Sequence, residues 1–224
     1  MIKEMLPKQL DERTITESGK YLIYEFDQVG ELPKRKSKTP TVFAAKNLIS
    51  SYLFEYIKGF HVPTHFVERE SESSMKVKKT SEIPFEVVMR NTVSENFSKT
   101  YNVEVGTELV SPIMDFKFTD ERYSDQFINE SYICSFGYIQ PEEMKILVKQ
   151  AGKINAVMKS FFTRRNLRLD KLTLRFARTT SNIVLASELS PDTMVVSDPE
   201  NSRKFRFDFN ENYCLAFYER AIGF

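Results

Sequence analysis

Between residues 141 and 165 the apolar side chains Met144, Leu147, Val148, Ala151, Ile154, Val157, Met158, Phe161 and Phe162 recur at intervals of three and four. That period gathers them into one stripe along an α-helix of about seven turns. Pro141 stands at the first helical position, with Glu142 and Glu143 in the first turn, where a fixed φ and negative charge both favour a helix start. A helix this long needs a second apolar surface to cover its stripe, so the chain must fold around a core, and the stripe is read as core and not as a cofactor box. Directly after it, residues 171–178 and 182–187 read as two short strands. Alternation along the first sends Leu172, Leu174 and Phe176 to one side and Thr173, Arg175 and Ala177 to the other. The apolar side faces the core, which leaves Thr173 and Arg175 facing outward together.

The rest of the chain supplies the partners for that helix. Residues 21–26 read as a strand, followed over 28–41 by a basic loop with Lys34, Arg35, Lys36 and Lys38 between Pro33 and Pro40. Leu48, Tyr52, Leu53, Tyr56 and Ile57 mark a second helix, which Gly59 is expected to cap. Strands are expected at about 61–68, 75–79 and 85–90, and a C-terminal helix through Tyr213, Cys214, Phe217 and Ala221. Strands with one helix, then mixed elements with two, predict an α+β chain of two lobes with a cleft between them.

Composition removes several classes of function. Thirty-two basic and 31 acidic residues are interleaved, for a net charge of +1, so no global field collects nucleic acid or an anionic membrane. No apolar run approaches the eighteen or so residues of a membrane span. Cys134 and Cys214 form no CxxC pair and are read as buried, inert thiols of a reduced compartment. The chain is therefore expected to be soluble and cytoplasmic. No two of its seven glycines lie closer than eleven residues, which excludes both the dinucleotide fingerprint and the Walker loop. His61 and His65 are the only histidines. Pro63 between them argues for a strand, so neither zinc binding nor a hydrolytic triad is expected. Lys34 to Lys38 read as a solvated loop, and Asp120 and Glu121 as surface residues.

Several segments, in order and spacing, carry a resemblance. They are Val62-Pro63-Thr64-His65-Phe66 before Glu68-Arg69, then Val77-Lys78-Lys79, Ile83-Pro84-Phe85-Glu86-Val87-Val88-Met89-Arg90-Asn91 and Gly106-Thr107-Glu108-Leu109. Ile128-Asn129-Glu130 and Leu189-Ser190-Pro191-Asp192-Thr193 follow. From Tyr21 onward the chain resembles the SAICAR synthetase (phosphoribosylaminoimidazole-succinocarboxamide synthase) family of purine biosynthesis. The resemblance implies an antiparallel N-terminal sheet with one helix in a small lobe, residues 1–82, on the nucleotide side. A larger α/β lobe, residues 83–224, lies on the substrate side. It also implies an ATP- and Mg²⁺-dependent ligase joining L-aspartate to carboxyaminoimidazole ribonucleotide, working as a dimer or larger homo-oligomer without nucleic-acid or membrane partners. Lys79 and Glu86 are then expected near the nucleotide base, and Arg90 and Asn91 toward the acidic substrates. Asp125 is expected at the imidazole ribonucleotide, Ser190, Asp192 and Arg206 along the same cleft, and Glu188 and Asp192 as the catalytic carboxylates.

Departures from the family pattern cluster on the phosphate and metal sides. No glycine stands among residues 1–18 to form the family's N-terminal Gly-Lys hairpin, and Gly19-Lys20 falls beside the next strand. The family's Asp-Phe-Lys-Leu-Glu-Phe-Gly reads Lys171-Leu172-Thr173-Leu174-Arg175-Phe176-Ala177, so Thr173 replaces a lysine and Arg175 a metal-side glutamate. Its Asp-Glu reads Ser187-Glu188, its next arginine is Val195, and its Ala-Gly-Ser loop is Ser94-Glu95-Asn96. Mg²⁺ takes oxygen ligands, which Arg175 cannot supply. At about 4 Å and an effective dielectric of about 20, a guanidinium repels a divalent cation by roughly 8 kcal/mol. No residue is accordingly assigned as a metal ligand, and Arg175 is open to three roles: a phosphate fork in place of the metal, a partner for a nearby carboxylate, or part of a rearranged site. Two functions stay open with it, a ligase with altered metal handling or an inactive, ligand-binding or regulatory paralogue.

Overall fold

A computed structural model describes residues 15–18, 20–26, 42–120, 127–200, 204–205 and 211–223. The basic loop, with Lys34 to Lys38, lies outside the described residues, as do Glu121, Asp125 and Arg206.

Two antiparallel sheets organise the chain. The first is four-stranded, in the order β1 (Ile15–Ser18), β2 (Tyr21–Glu25), β4 (Ser74–Lys78) and β3 (Phe66–Arg69). Ser18 pairs with Tyr21, so β1 and β2 form a hairpin that the sequence reading did not foresee. The second sheet runs β11 (Lys204–Phe205), β10 (Met194–Ser197), β8 (Arg168–Arg178), β5 (Ser81–Thr92), β6 (Glu108–Phe118) and β7 (Phe127–Ile128). A seventh strand, β9 (Ile183–Leu185), pairs with β8. The predicted strand over 61–68 starts only at Phe66, because His61 takes a left-handed φ of 57° and Thr64 makes just an isolated bridge to Leu185.

Helix α1 (Val42–Lys58) belongs with the first sheet, while α4 (Pro141–Thr163) lies across the second. The α4 start is closed by Glu143, whose Oε2 accepts from the Gln140 backbone N–H at 3.1 Å. Met144, Leu147, Ala151, Ile154, Met158, Phe161 and Phe162 of its stripe are buried, and Val148 and Val157 partly so. Two short helices, α2 (Glu95–Tyr101) and α3 (Glu130–Ser135), add to the three expected, and α5 (Glu211–Ala221) closes the fold. Gly59 does not take the left-handed position expected of a C-cap. The α1 end is instead wound by Val62 N–H on the Ile57 carbonyl and His61 N–H on that of Lys58, with His61 left-handed. The end of α4 repeats this pattern with Asn166 at φ 55°.

Leu172, Leu174 and Phe176 of β8 are buried against α4, and Thr173 and Arg175 on the other face are half-buried. Ala177 shares their face but is itself buried. Cys134 is half-buried, short of the full burial expected, and the Cys214 side chain lies outside the described residues. No described helix is long and apolar enough to cross a membrane.

One buried polar contact joins α4 to β5. Asn91 and Asn155, both about 1% exposed, exchange amide hydrogen bonds at 2.9 and 2.8 Å. Asn155→Leu leaves both halves of the Asn91 amide unpaired, and the expected loss of unfolding free energy is about 1–3 kcal/mol in urea titration. The double replacement Asn91→Leu/Asn155→Leu is expected to recover much of it. A single variant as stable as the parent would refute the pairing.

Candidate functional site

Where the two sheets meet, a cavity of about 340 Å³ opens. The first sheet contributes Leu22 and Val77, which are cross-strand neighbours, together with Tyr24. The end of β4 adds Lys78, the connection between the sheets adds Thr80, and β5 adds Glu82 and Glu86. From β8 come Lys171, Thr173, Arg175, Phe176 and Ala177, and from the following segment Ala186, Ser187, Glu188, Asp192 and Thr193. His65 completes the lining.

Antiparallel register decides what Arg175 meets. Glu86 lies opposite it across the β5–β8 pair, and the Arg175 Nε reaches Glu86 Oε2 at 3.4 Å. With the Arg175 side chain about a third exposed, the ion pair is a partly screened contact on the cavity wall. The Arg175 backbone N–H donates to Ser187 Oγ at 3.1 Å, so that hydroxyl fastens the segment that leaves β9 back onto β8.

Residues 187–193 form a tight polar turn. Glu188 is buried, and its carboxylate accepts from Ser190 Oγ at 2.7 Å and from the Tyr24 hydroxyl at 3.4 Å. Ser190 Oγ also accepts from the Asp192 N–H at 3.2 Å, and Thr193 Oγ1 donates to the Glu188 carbonyl at 3.1 Å. Helix α1 anchors the turn from outside: Lys46 Nζ meets Asp192 Oδ2 at 2.6 Å, and Ser50 Oγ accepts from the Leu189 N–H at 3.0 Å.

Two cavity groups have shifted protonation. Burial lowers the pKa of His65 to about 3, with the Lys78 charge acting in the same direction, so the imidazole is neutral. Its Nε2 is buried without a hydrogen-bond partner among the described residues. Burial raises Glu82 above the usual carboxylate range, while the Arg175 charge opposes that rise. Among the described residues no three Asp, Glu, His or Cys side chains come together as a possible metal cage.

Of the residues singled out in the sequence, Glu86, Thr173, Arg175, Ser187, Glu188 and Asp192 converge on the cavity. Lys79 is exposed and does not line it, whereas its neighbour Lys78 does. Ser190 is fully buried behind the turn, where it orders Glu188 and Asp192. Arg90 and Asn91 lie farther along β5, outside the lining: Arg90 pairs with Asp115 at 2.7 Å and covers the Phe97 ring at 5.2 Å, and Asn91 is spent on Asn155. Ser94 is the N-cap of α2, accepting from the Phe97 N–H at 3.4 Å. Tyr24, Lys46, His65 and Glu82 were not singled out as site residues. For Glu82 a signal existed, since it stands an even number of residues before Glu86 on one strand.

Two antiparallel sheets joined over a cleft of mixed apolar and charged lining define an α+β protein with a cavity of small-molecule size. Residues 20–208 match the family model of SAICAR synthetase, and the chain belongs to that family. It is 35% identical over 201 residues to the phosphoribosylaminoimidazole-succinocarboxamide synthase of Chlorobium phaeobacteroides, covering 87% of this chain and 85% of the relative. The corresponding synthase of Enterococcus faecalis is 33% identical, covering 93% and 86%. Among solved structures, SAICAR synthetase from Pyrococcus horikoshii superposes with a TM-score of 0.82 at 25% identity over 95% of this chain and 98% of that one. A SAICAR synthetase in complex with ADP gives 0.79 at 26% identity, covering 94% of each chain.

Proposed function

We propose that the chain is a diverged SAICAR synthetase. Its nominal reaction is the ATP-dependent ligation of L-aspartate to carboxyaminoimidazole ribonucleotide, and its metal side is rebuilt so that ligation is slow. The reading draws on the synthases it matches and on the neighbour that holds ADP. Glu86 faces the nucleotide, and Asp125, Arg206 and Arg90 serve the purine precursor and aspartate. The lobes divide at 82/83, two residues into β5, the strand by which the chain enters the second sheet, and the protein works in the cytoplasm as a homo-oligomer.

One observation carries the departure from the family reaction. Arg175 pairs with Glu86 on the cavity wall, where the family pattern has a metal-side glutamate. Two further acids of the cavity are also engaged, Glu188 by Ser190 and Tyr24 and Asp192 by Lys46. Mg²⁺ requires several oxygen ligands in near-octahedral order, and this donor set does not fit it. Positioning alone leaves phosphoryl transfer slow.

The test is ADP release by the purified chain with carboxyaminoimidazole ribonucleotide, L-aspartate, ATP and Mg²⁺. The expected rate lies at least a hundredfold below the roughly 10 s⁻¹ of an ordinary enzyme, and a chelator leaves it unchanged. Rapid turnover abolished by chelation would overturn the reading. The same Arg175–Glu86 pair also favours a second reading, an inactive paralogue that only binds the precursor. Thermal stabilisation by the precursor with no ADP released would select it.

A further inference from the structure

The chain as a whole is balanced in charge, but residues 144–169 hold seven basic side chains and no acidic one. Three of the seven are engaged: Lys159 pairs with Glu108 at 3.0 Å, Arg168 pairs with Asp170 at 2.8 Å, and Arg165 covers the Phe161 ring. Lys145, Lys149, Lys153 and Arg164 are exposed and make no ion pair among the described residues. With about 3.6 residues per turn and a rise of about 1.5 Å, they fall within an arc of about 100° on α4 and its C-cap and span about 28 Å. The buried stripe of α4 faces the second sheet, so this row points away from the cavity.

Nothing within the helix balances the row. The neighbours of Lys149 one turn away are Lys145, Ile146, Gly152 and Lys153, and those of Lys153 are Lys149, Gln150, Ala156 and Val157. Like charges at this spacing repel each other, so the bare face is less stable than one covered by anions. The face is also low in relief. Gly152, Ala156, Ser160 and Thr163 lie in the same arc, and a Cβ added at Gly152 would meet nothing within 4 Å. Small side chains let a second helix approach closely, and Ile146, 47% exposed, offers it an apolar contact at the edge of the row. We propose that the outer face of α4 is a docking surface for an acidic helix of a partner protein, whose acidic side chains recur every three to four residues and meet the four cations. A nucleic acid fits less well, because the face carries no aromatic side chain on which bases could stack. Three of its four cations are lysines, which hold phosphate as point charges without a bidentate fork. The surface is independent of the cavity and of the reaction proposed for it.

Fluorescence anisotropy with the full chain tests it, using a labelled alanine-rich helical peptide that carries its glutamates in one stripe. A second peptide of the same composition has its glutamates spread around the helix. The striped peptide is expected to bind at least about fivefold more tightly than the scattered one. Lys149→Glu/Lys153→Glu is expected to weaken its binding about tenfold. Lys58→Glu/Lys99→Glu, which changes the net charge equally at exposed sites off α4, is expected to weaken it by less than about twofold. Lys149→Ala/Lys153→Ala gives the same readout if the first variant does not fold. No binding of the striped peptide, equal binding of the two peptides, or equal loss in the two charge-reversed variants overturns the docking surface. A single-stranded polyuridylate probe that binds more tightly than the striped peptide, and is lost with the same two lysines, overturns the acidic helix as its occupant.

Discussion

Phe161→Ala is expected to lower the unfolding free energy by about 3–5 kcal/mol, a large share of the roughly 5–15 kcal/mol that holds a domain together. The Phe161 side chain is fully buried, and it joins elements that lie far apart in sequence. Its ring lies 4.8 Å from Tyr56 and 6.2 Å from Tyr52 on α1, and 5.1 Å from Phe162 on α4. The Arg165 guanidinium sits 3.8 Å from its centroid. Truncation opens a cavity, removes edge-to-face contacts and strips a cation of its ring, and rigid neighbours from two helices limit the collapse that could soften the loss. Urea unfolding measures it, with Ile146→Ala as the control, because Ile146 lies exposed on the same helix and its loss is expected to stay within about 0.5 kcal/mol. A Phe161→Ala variant that loses less than about 1.5 kcal/mol would show that the aromatic junction does not carry α4.

The second large effect is a dependence on acid. His65 ordinarily titrates near 6.5, and in the fold burial holds it at about 3. Below about pH 6.5 the unfolded chain takes up a proton that the folded chain refuses. Stability is therefore full above that pH and falls on acidification through the window from 6.5 to 3, by up to about 1.4 kcal/mol per pH unit. His65→Leu should remove that slope, and the difference between the parent and variant profiles isolates it. Other groups add their own slopes lower down. Glu143, held below the usual carboxylate range first by its hydrogen bond from Arg178, loses its stabilising share as pH falls through its lowered pKa. Glu82 acts in the opposite sense, because a raised pKa lets the fold take up its proton first. Parallel profiles for parent and His65→Leu between pH 6.5 and 4.5 would rule out a buried neutral imidazole.

How much of this could be read from the sequence varies by element. The stripe of α4 was legible because nine apolar residues kept one period over many turns, and β8 because its alternation was clean. Helices α2 and α3 span only seven and six residues, too short for a period to emerge. Strand β6 was hidden because all its residues but Phe116 are exposed or half-buried, and by Pro112 within it. Gly59 misled the reading of the α1 end, because the left-handed turn falls two residues later at His61, a residue type with no such preference as strong as glycine's. At the site, alternation alone placed Thr173 and Arg175 on the cavity side. It could not bring in Lys46, which meets Asp192 across 146 residues, or show that Asn91 is spent on Asn155.

The turn over residues 187–193 also has a mechanical meaning. Lys46 and Ser50 of α1 grip it through Asp192 and Leu189, and the segment just before it is stitched to the stretch ahead of β3, where Leu185 bonds the backbone of Pro63 and His65. These ties act as a latch across the cleft. Parting α1 from this turn must undo an ion pair and a backbone-to-hydroxyl bond together, and parting the 63–65 segment from β9 must undo two backbone bonds more.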